Sequence, residues 1–435
     1  MNTVYVVVLA GGRGRRFWPL TWNKPLVPFF GKPLVVYNLE LLKLAGFTQI
    51  ILVIHPEDVQ TYMDLAIPGL TLQTVIQQEA KGMGDALLRV EEHIGQSSML
   101  VMNAEDVVEP SLYEQLANAI KDETSFITGK RVSEYFDGGY LSLEGKRVVR
   151  IVEKPGAENK PSDLINLVFH YFRKPKNFFE LLAKVRSDRD DVYELALDEL
   201  LKNEQFHYLT YEGVWAPLKY PWHVLDVMDQ LFKRIKSYQG KNVEIKSHVT
   251  IDGPVYISDG VKIFENTKIV GPAYIGSDTI IGNNNIIRQS HIGAFCVTGF
   301  NTDITRSYVG DDCWFHSNYI GDSVLESNVG MGSGAVLANL RLDEGLVWSI
   351  VNGEKVNSQR TKLGAVIGRS VRIGVNASIM PGVKIGSGSF VGAGVTLDKD
   401  LPDNKFCIGK TEYTVIDNTR NIGKNTRDEF RQKLP

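Results

Sequence analysis

The 435-residue chain has few of the features that characterise secreted or nucleic-acid-binding proteins. It contains three cysteines, Cys296, Cys313 and Cys407, and their spacing forms no metal-binding pair. So few cysteines exclude a disulfide framework and are typical of a reducing compartment. The 48 basic and 51 acidic residues leave a formal net charge of −3. This balance gives no electrostatic reason to expect binding to nucleic acid or to a membrane surface.

Long hydrophobic runs are also missing from the sequence. The apolar run from Val4 to Ala10 is too short to cross a membrane, and no basic segment precedes it as in a signal peptide. We therefore expect a cytoplasmic protein in which this run is a buried strand. A chain of 435 residues is longer than one hydrophobic core usually organises, so two domains are expected.

The first half of the chain alternates between strand-like and helix-like patterns. Residues 4–9 form a near-continuous apolar run, which is typical of a strand buried on both faces. Residues 34–45 have helical spacing and end before Gly46, and further β-rich runs follow at 49–54 and 99–103. This order predicts an α/β domain with a doubly wound, mostly parallel, Rossmann-like sheet. Ligands bind such sheets at the carboxyl ends of the strands.

The second half shows a six-residue period. Isoleucine recurs without a break at seven positions, Ile251, Ile257, Ile263, Ile269, Ile275, Ile281 and Ile287. The register slips through residues 290–345 and resumes from Ile367 to Leu397. A period of six fits neither an α-helix nor a heptad, and a β-sandwich would not hold one residue type at this spacing. The pattern predicts a left-handed parallel β-helix, in which each repeat contributes one inward aliphatic residue.

These patterns divide the chain into four predicted parts. Residues 1–235 form the α/β domain, and residues 236–246 belong to a linker that we expect to be helical from about Gln230. The β-helix covers residues 247–400. Residues 401–435 form a polar C-terminal tail.

The strongest local signal is a glycine-rich segment that follows the first strand. It reads LAGGRGRRFWPLT from Leu9 to Thr21 and continues with NKPLVP from Asn23 to Pro28. Glycines after a buried strand let backbone N–H groups approach phosphate oxygens, and two cations, Arg16 and Lys24, follow. The segment is neither a Walker A loop nor the spaced dinucleotide fingerprint.

This segment resembles the sugar-1-phosphate nucleotidyltransferases, also called nucleotidyl-diphosphosugar pyrophosphorylases, over about the first 230 residues. The resemblance implies that a nucleoside triphosphate and a sugar 1-phosphate are the substrates and that Mg²⁺ is required. Arg16 would stabilise the leaving pyrophosphate, and Lys24 would bridge the phosphates of both substrates. In-line attack on the α-phosphorus needs clustered positive charge more than a strong base. The residues implied to bind the nucleotide are Leu9, Ala10, Gly11, Gly12, Gly14, Gln77 and Gly82.

Later segments match the same family in order. Gly139 resembles the glycine beneath the sugar, and the Glu-Lys-Pro signature implies that Glu153 binds sugar hydroxyls and Lys154 the sugar phosphate. Asn166 matches a sugar-contacting asparagine. The family places a metal-binding aspartate after its third strand, where this chain has Glu105 followed by Asp106. Either carboxylate could ligate Mg²⁺.

Some positions depart from the family pattern. The second metal carboxylate is replaced by Pro217, which has no ligand atom, and His223 or Asp226 could compensate for it. Arg15 stands where a small hydroxyl residue is usual, and Val168 replaces the glycine that normally comes after the sugar-contacting asparagine.

The β-helix contains a second motif, WFHSNYIGD at 314–322, with GSG at 332–334 and ANLR at 338–341 after it. It resembles the hexapeptide-repeat acyltransferases, in particular the archaeal-type bifunctional enzymes that acetylate glucosamine 1-phosphate and then uridylylate the product. The resemblance implies acetyl-CoA as co-substrate, His316 as the catalytic residue, and substrate binding by Tyr319 and Asn339. A neutral histidine is suited to removing a proton from an ammonium group near pH 7.

This motif also departs from its relatives. Gly330 stands where bacterial relatives have asparagine, and Gly345 and Trp348 lie where the bifunctional relatives carry lysines. Lys355 and Lys362 are the possible substitutes.

The leading hypothesis is a nucleotidyltransferase that uses UTP and N-acetylglucosamine 1-phosphate, with acetyltransferase activity in the β-helix. GTP with mannose 1-phosphate and dTTP with glucose 1-phosphate remain open. One alternative is a non-catalytic regulatory or scaffold subunit that binds a nucleotide sugar. Another is an acetyltransferase whose N-terminal domain only binds substrate. The resemblance also implies a homotrimer or a multiple of three, and no nucleic acid or membrane partner is expected.

Overall fold

A computed structural model describes residues 3–136, 138–188 and 191–410, and short pieces of the tail at 412, 414–419, 427 and 431–433. Of the 35 residues of the predicted tail, 14 therefore lie outside the described residues. None of the helices in the described part of the chain has the length and hydrophobicity needed to cross a bilayer.

The N-terminal half alternates strands and helices. Its strands are β1 (Val4–Ala10), β2 (Pro28–Phe29), β3 (Lys32–Pro33), β4 (Gln49–Ile54), β5 (Thr71–Ile76), β6 (Ser98–Asn103), β7 (Asp106–Val108), β8 (Ser125–Arg131), β9 (Gly139–Glu144), β10 (Arg147–Glu153), β11 (Leu164–Phe172), β12 (Phe206–Tyr211) and β13 (Trp215–Pro217). Its α-helices are α1 (Leu34–Leu44), α2 (Val59–Met63), α3 (Gly82–Leu88), α4 (Glu91–Ile94), α5 (Pro110–Ala119), α6 (Lys176–Lys184), α7 (Val192–Asn203) and α8 (His223–Phe232). Single 3₁₀ turns occur at Lys24–Leu26, Pro56–Asp58 and Ile120–Asp122.

Nine of these strands form one sheet in the order β5-β4-β1-β6-β11-β8-β12-β10-β9. The strands β5, β4, β1 and β6 are parallel, while β11 is antiparallel to both β6 and β8. The sheet therefore has a parallel half, in which the predicted β-α-β order is realised, and a mixed half. Parallel pairing brings the ends of β1, β4 and β6 to one edge, where Leu9 lies between Val53 and Asn103.

Two hydrophobic cores cover the two faces of this sheet. Alternate residues of β1 belong to different cores, with Val7 and Leu9 in one and Val6 and Val8 in the other. Side chains alternate between the faces of a strand, so a strand with helices on both sides must be apolar at every position. This explains the uninterrupted apolar run near the N-terminus.

The second half forms short strands that wind around one axis. They are β14 (Tyr238–Gln239), β15 (Glu244–Ile245), β16 (Thr250–Asp252), β17 (Val255–Ile257), β18 (Lys262–Ile263), β19 (Lys268–Val270), β20 (Ala273–Ile275), β21 (Ile280–Ile281), β22 (Ile286–Arg288), β23 (His291–Ile292), β24 (Val297–Thr298), β25 (Asp303–Thr305), β26 (Tyr308–Val309), β27 (Trp314–Phe315), β28 (Tyr319–Gly321), β29 (Val324–Leu325), β30 (Gly330–Met331), β31 (Val336–Leu337), β32 (Trp348–Val351), β33 (Glu354–Asn357), β34 (Val366–Ile367), β35 (Arg372–Ile373), β36 (Ser378–Ile379), β37 (Lys384–Ile385), β38 (Phe390–Val391), β39 (Thr396–Leu397) and β40 (Phe406–Cys407). Apart from β32 and β33, they form three parallel sheets of eight, nine and eight strands, which are the three sides of a parallel β-helix.

The slipped register has a structural cause. Where the six-residue period is regular, strand partners lie eighteen residues apart, as Ile263 and Ile281 do. In the slipped region Ile275 pairs with Ile292, seventeen residues on, and Ile304 pairs with Ile320, sixteen residues on. These coils are one or two residues shorter, yet each still places an aliphatic side chain inside the helix. After β31 the chain leaves the coil and forms the antiparallel hairpin β32–β33 before it returns at β34.

The predicted helical linker is wrong beyond Phe232, where α8 ends. Tyr238–Gln239 and Glu244–Ile245 are already strands of the first coil and pair with the coil that follows. The six-residue spacing reaches back to Ile245, the register partner of Ile263, but stops at Gln239, the partner of Ile257. The isoleucine series therefore does not mark where this coil begins. At the other end, β40 pairs with β38, so part of the predicted tail is a strand of the last coil.

The two halves pack together through the chain between β1 and α1. We call residues 9–33 the signature segment. One side of the β-helix carries an aromatic ladder in which neighbouring rings stack with centroids 4.4–5.5 Å apart, formed by Tyr238, Tyr256, Tyr274, His291 and Tyr308. Phe30 packs on Tyr274 and His291, while Phe29 meets Tyr308 edge-on. The signature segment, α8 and this side of the β-helix thus share one hydrophobic core.

Polar contacts reinforce this interface. The backbone N–H of Thr21 donates to the buried carboxylate of Glu326 at 3.0 Å, and the Thr21 hydroxyl donates to the same group. The hydroxyl of Tyr308 donates to the carbonyl oxygen of Pro28 at 2.5 Å. Trp18 donates through Nε1 to Asp403 at 3.2 Å. The signature segment is therefore held by the β-helix as well as by its own domain.

The coil interior should dominate the stability of the β-helix. Ile263→Ala removes a fully buried side chain from the stacked interior, and we expect it to lower the free energy of unfolding by about 2–5 kcal/mol in urea denaturation. Lys262→Ala truncates the exposed neighbour on the same strand and should change the free energy of unfolding by about 0.5 kcal/mol or less. Equal effects of both substitutions would contradict this assignment of inward and outward positions.

Candidate active sites

The nucleotide-binding residues implied by the sequence meet at the edge where β1, β4 and β6 end. Gly11 lies against Gln77, since a Cβ atom built on Gly11 would stand 2.7 Å from Gln77 Oε1. Gly14 has φ +57°, a conformation that favours glycine, and its Cα faces the side chain of Lys24. Leu9 and Ala10 are the buried last residues of β1. Gly12 is exposed and Gly14 is half-buried, whereas Gly11 is buried against Gln77.

Gln77 follows β5 and is turned toward the start of α3. Its Nε2 donates to the carbonyl oxygen of Gly82 at 3.0 Å and to Asp85 Oδ2 at 2.8 Å. Asp85 is in turn held by Arg89, whose Nε and Nη2 donate to its two oxygens at 3.0 and 3.1 Å. Asp85 and Arg89 were not anticipated from the sequence, although they stand four residues apart on one helix.

Four charged groups meet beside the glycine-rich turn. Burial lowers the pKa of the Lys24 ammonium and Arg16 lowers it further, while Glu105 and Asp106 act in the opposite direction. Arg16, Glu105 and Asp106 therefore all lie within electrostatic range of Lys24. This is the arrangement expected where phosphates and a divalent cation are to be balanced.

The two carboxylates differ in their surroundings. Glu105 is half-buried in a turn, whereas Asp106 is buried at the start of β7 and accepts a hydrogen bond from Asn103 at 3.2 Å. Burial, together with the charge of Glu105, raises the pKa of Asp106 to about 7. Two adjacent carboxylates are hard oxygen ligands whose mutual repulsion a cation would relieve, so the residues present fit Mg²⁺.

The substituted metal position lies directly beside this pair. Pro217 is the register partner of Asp106 in the β13–β7 ladder. His223 Nδ1 lies 2.8 Å from the carbonyl oxygen of Pro217, a contact that involves only one of its two ring nitrogens. Asp226 forms an ion pair with Arg360 at 2.5 Å. Within the described residues, no group of three or more metal-ligating side chains occurs.

The sugar-phosphate residues lie on β9, β10 and β11. Gly139 and Glu153 are register partners, and a Cβ atom on Gly139 would stand 2.5 Å from Glu153 Oε1, so a larger residue there would displace the Glu153 carboxylate. Lys154 follows with φ +44°. Asn166 lies half-buried on β11, next to Gly129 of β8.

A buried histidine orients Asn166. His170 Nε2 lies 2.8 Å from Asn166 Oδ1, and His170 Nδ1 lies 2.5 Å from the hydroxyl of Tyr193. An amide oxygen only accepts, so Nε2 carries the proton, Nδ1 accepts from Tyr193, and the amide nitrogen of Asn166 is left for a ligand. Burial lowers the pKa of His170 to about 3. One signal was available for His170, because it is a polar residue inside the apolar run of β11, whereas nothing marked Tyr193.

The acetyltransferase candidates are only partly brought together. The Tyr319 hydroxyl donates to Asn339 Oδ1 at 3.4 Å, and Asn339 Nδ2 donates to Asp322 at 2.5 Å. Arg306 holds Asp322 through two hydrogen bonds of 2.7 and 2.8 Å. His316 is exposed, and within the described residues its hydrogen bonds are made by its backbone, so its imidazole forms no hydrogen bond with Tyr319.

The two possible lysine substitutes occupy different places. Lys355 packs its ammonium 5.4 Å from the ring of Trp348 within the β32–β33 hairpin. Lys362 is paired with Leu340 in an isolated bridge, which puts its backbone next to Asn339. Of the two, Lys362 is adjacent to the candidate site.

Comparisons with known proteins cover both halves of the chain. Residues 5–216 match the family described as nucleotidyl transferase, and residues 364–399 match the bacterial transferase hexapeptide family. The bifunctional protein GlmU of Methanococcus maripaludis is 31% identical over 416 residues, which span 94% of this chain and 98% of that protein. The bifunctional sugar-1-phosphate nucleotidylyltransferase/acetyltransferase of Sulfurisphaera tokodaii is 30% identical over 92% of this chain and 98% of its own length. GlmU of Methanocaldococcus jannaschii is 29% identical over 93% of this chain.

The buried His170 should make stability sensitive to acid. Its pKa of about 3 in the folded chain lies below the usual 6.5, so between these values the unfolded chain binds a proton that the folded chain does not. The free energy of unfolding should therefore fall by up to about 1.4 kcal/mol per pH unit on acidification through this window. His170→Gln, which keeps a donor and an acceptor, should reduce this dependence in urea unfolding at pH 7.5, 5.5 and 4.5. The remaining slope includes the share of His291, whose pKa burial lowers to about 4. His207→Gln, at an exposed position, should leave the wild-type slope, and parallel curves for all three proteins would contradict the assignment.

Proposed function

This chain belongs to the family of the archaeal bifunctional GlmU and sugar-1-phosphate nucleotidylyltransferase/acetyltransferase proteins, and on that premise we propose that it carries out both reactions. In the first, an oxygen of a sugar 1-phosphate attacks the α-phosphorus of a nucleoside triphosphate, giving a nucleotide sugar and pyrophosphate. UTP and N-acetylglucosamine 1-phosphate are the proposed substrates, since the β-helix motif is one associated with amino sugars.

The observation that carries the first activity is the meeting of Arg16, Lys24, Glu105 and Asp106 beside the glycine-rich turn. Arg16 would stabilise the pyrophosphate as it leaves. Lys24 would hold phosphates of both substrates in line. Glu105 and Asp106 would hold Mg²⁺, which when bound neutralises phosphate charge. Pro217 leaves the cation with fewer protein ligands, which Mg²⁺ tolerates because substrate phosphates and water complete its coordination.

The remaining residues would position the substrates. Gly11, Gly12 and Gly14 would give the triphosphate access to backbone N–H groups. Glu153 would bind sugar hydroxyls and Lys154 the sugar phosphate. The amide nitrogen of Asn166, turned outward by His170, supports a role as donor to a sugar oxygen.

The second proposed activity is acetyl transfer to the amine of a sugar phosphate. His316 would accept a proton from the ammonium group, which frees the nitrogen to attack the thioester of acetyl-CoA. The C–N bond forms, the C–S bond breaks and coenzyme A leaves as the thiol. Tyr319 and Asn339 would bind the sugar phosphate.

A homotrimer, or a multiple of it, is proposed as the assembly that completes this second site. His316 is exposed on one chain, and large apolar side chains are exposed near it, with Trp314 57% and Phe300 56% accessible. A neighbouring β-helix covering this region would bury these side chains and enclose the histidine. A cytoplasmic location is proposed because both cosubstrates, a nucleoside triphosphate and acetyl-CoA, are metabolites of that compartment.

Pyrophosphate release tests the first activity. With Mg²⁺, four nucleoside triphosphates and a panel of sugar 1-phosphates, we expect turnover with one pair and a loss of about a hundredfold or more in Lys24→Ala, because a fixed charge at the transferring phosphate is removed. Lys184→Ala, an exposed lysine at the end of α6, should retain wild-type rates. If no pair turns over in protein that still binds a nucleotide sugar, the chain is a regulatory subunit instead.

Thiol release from acetyl-CoA with glucosamine 1-phosphate tests the second activity. His316→Ala should reduce it by about 10²–10⁴-fold, the usual contribution of a general base. The same protein should retain pyrophosphate release, which shows that it is folded. Undiminished acetyl transfer in His316→Ala would remove this residue from the mechanism.

A further inference from the structure

The amide of Gln77 is held in one orientation. Gln77 is 3% exposed, and its Nε2 has two hydrogen-bond partners, the carbonyl oxygen of Gly82 and Oδ2 of Asp85, at 3.0 and 2.8 Å. Both partners are acceptors, so the NH₂ group must face them and the carbonyl oxygen must face away. Both N–H bonds are used within the protein, and none is left for a ligand.

The carbonyl oxygen points toward the glycine-rich turn. A Cβ atom on Gly11 would stand only 2.7 Å from Gln77 Oε1, so this oxygen lies against the first glycine after β1. In the part of the chain that the structure describes, no protein donor is recorded for Oε1. The side chain thus presents an acceptor to the space beside the proposed phosphate site.

Asp85 is the residue that maintains this orientation. It is ionised and braced by Arg89, which donates to both carboxylate oxygens at 3.0 and 3.1 Å. Burial acts to raise the pKa of Asp85, but the hydrogen bonds from Arg89 and Gln77 lower it below its usual range. A carboxylate that stays ionised can only accept, so it cannot receive Gln77 Oε1 in place of Nε2.

We propose that Asp85 is a positioning residue that makes Gln77 a hydrogen-bond acceptor for the nucleotide base. The site then selects bases that carry a ring N–H, namely uracil, thymine or guanine, over cytosine and adenine. In uracil and thymine N3 is a donor, as is N1 of guanine, whereas N3 of cytosine and N1 of adenine are acceptors and would face Oε1 lone pair to lone pair. This inference rests on the proposed function and narrows its nucleotide substrate.

Equilibrium binding of UTP and CTP tests the proposal without requiring turnover. These nucleotides differ at the base edge, where uracil has N3–H and a carbonyl and cytosine has bare N3 and an amino group. By isothermal titration calorimetry, the full-length wild type should bind UTP about tenfold or more tightly than CTP.

Asp85→Leu should lower this ratio about tenfold. Gln77 Nε2 and Arg89 Nε donate to the same oxygen of Asp85, so removing this acceptor leaves only the carbonyl oxygen of Gly82 to hold the amide. Gln77→Leu should also remove the preference, by weakening UTP binding alone. The matched control is Glu79→Gln, which removes one charge from an exposed carboxylate in the same segment and should preserve the wild-type ratio.

The outcomes separate this proposal from the proposed function. Equal binding of UTP and CTP by the wild type overturns the role of Asp85. So does an Asp85→Leu ratio equal to that of the wild type in protein with an unchanged melting temperature. An intact preference without pyrophosphate release from any substrate pair overturns the nucleotidyltransferase activity while supporting this role. A chain that binds neither nucleotide overturns both.

Discussion

The candidate nucleotide site depends on one physical constraint, which is that the signature segment is held from two sides. One side is its own sheet, where β1 ends, and the other is the β-helix. Between Arg16 and Lys24 stands Thr21, whose backbone and hydroxyl both donate to the buried carboxylate of Glu326. Glycine-rich chain has little intrinsic rigidity, so the positions of these two cations depend on contacts made by the residues between them. The β-helix therefore contributes to the geometry of a site in which it places no ligand-binding side chain.

A second theme is the orientation of amides by buried partners. Gln77 is turned by an acceptor, Asp85, and so presents oxygen, while Asn166 is turned by a donor, His170, and so presents nitrogen. An amide is symmetrical in shape but not in hydrogen bonding, so without such partners each could present either end. In both cases a residue behind the amide decides whether its oxygen or its nitrogen is presented to a ligand.

Much of the fold could be predicted because it depends on repetition and on local pattern. The six-residue period gave the β-helix, and the uninterrupted apolar run gave a strand buried on both faces; both were confirmed. The short coils were not predicted, because the loss of one or two residues at a corner interrupts the six-residue spacing in the sequence. The inward side chain nevertheless keeps its place in the structure. The first coil was taken for a linker because Gln239 stands where the next isoleucine of the series would be.

Site residues could be predicted from the sequence only where they belong to a recognisable local motif. The glycine-rich turn, Gln77, Lys24 and the two carboxylates were expected to gather, and they do, although their roles stay predictions. What could not be predicted depends on contacts between distant segments. Tyr193 reaches His170 from α7, and Asp226 forms an ion pair with Arg360, which lies 134 positions later. No spacing rule connects such partners.

The contact between Thr21 and Glu326 also determines when, during synthesis of the chain, the candidate nucleotide site can be completed. The two residues are 305 positions apart. A ribosome adding about 5–20 residues per second needs roughly 15–60 s to pass from one to the other. During that interval the N-terminal sheet can form, but the signature segment lacks its second support and its aromatic side chains have no ladder to cover them. A newly made chain thus acquires its complete nucleotide site late in synthesis, when most of the β-helix has left the ribosome.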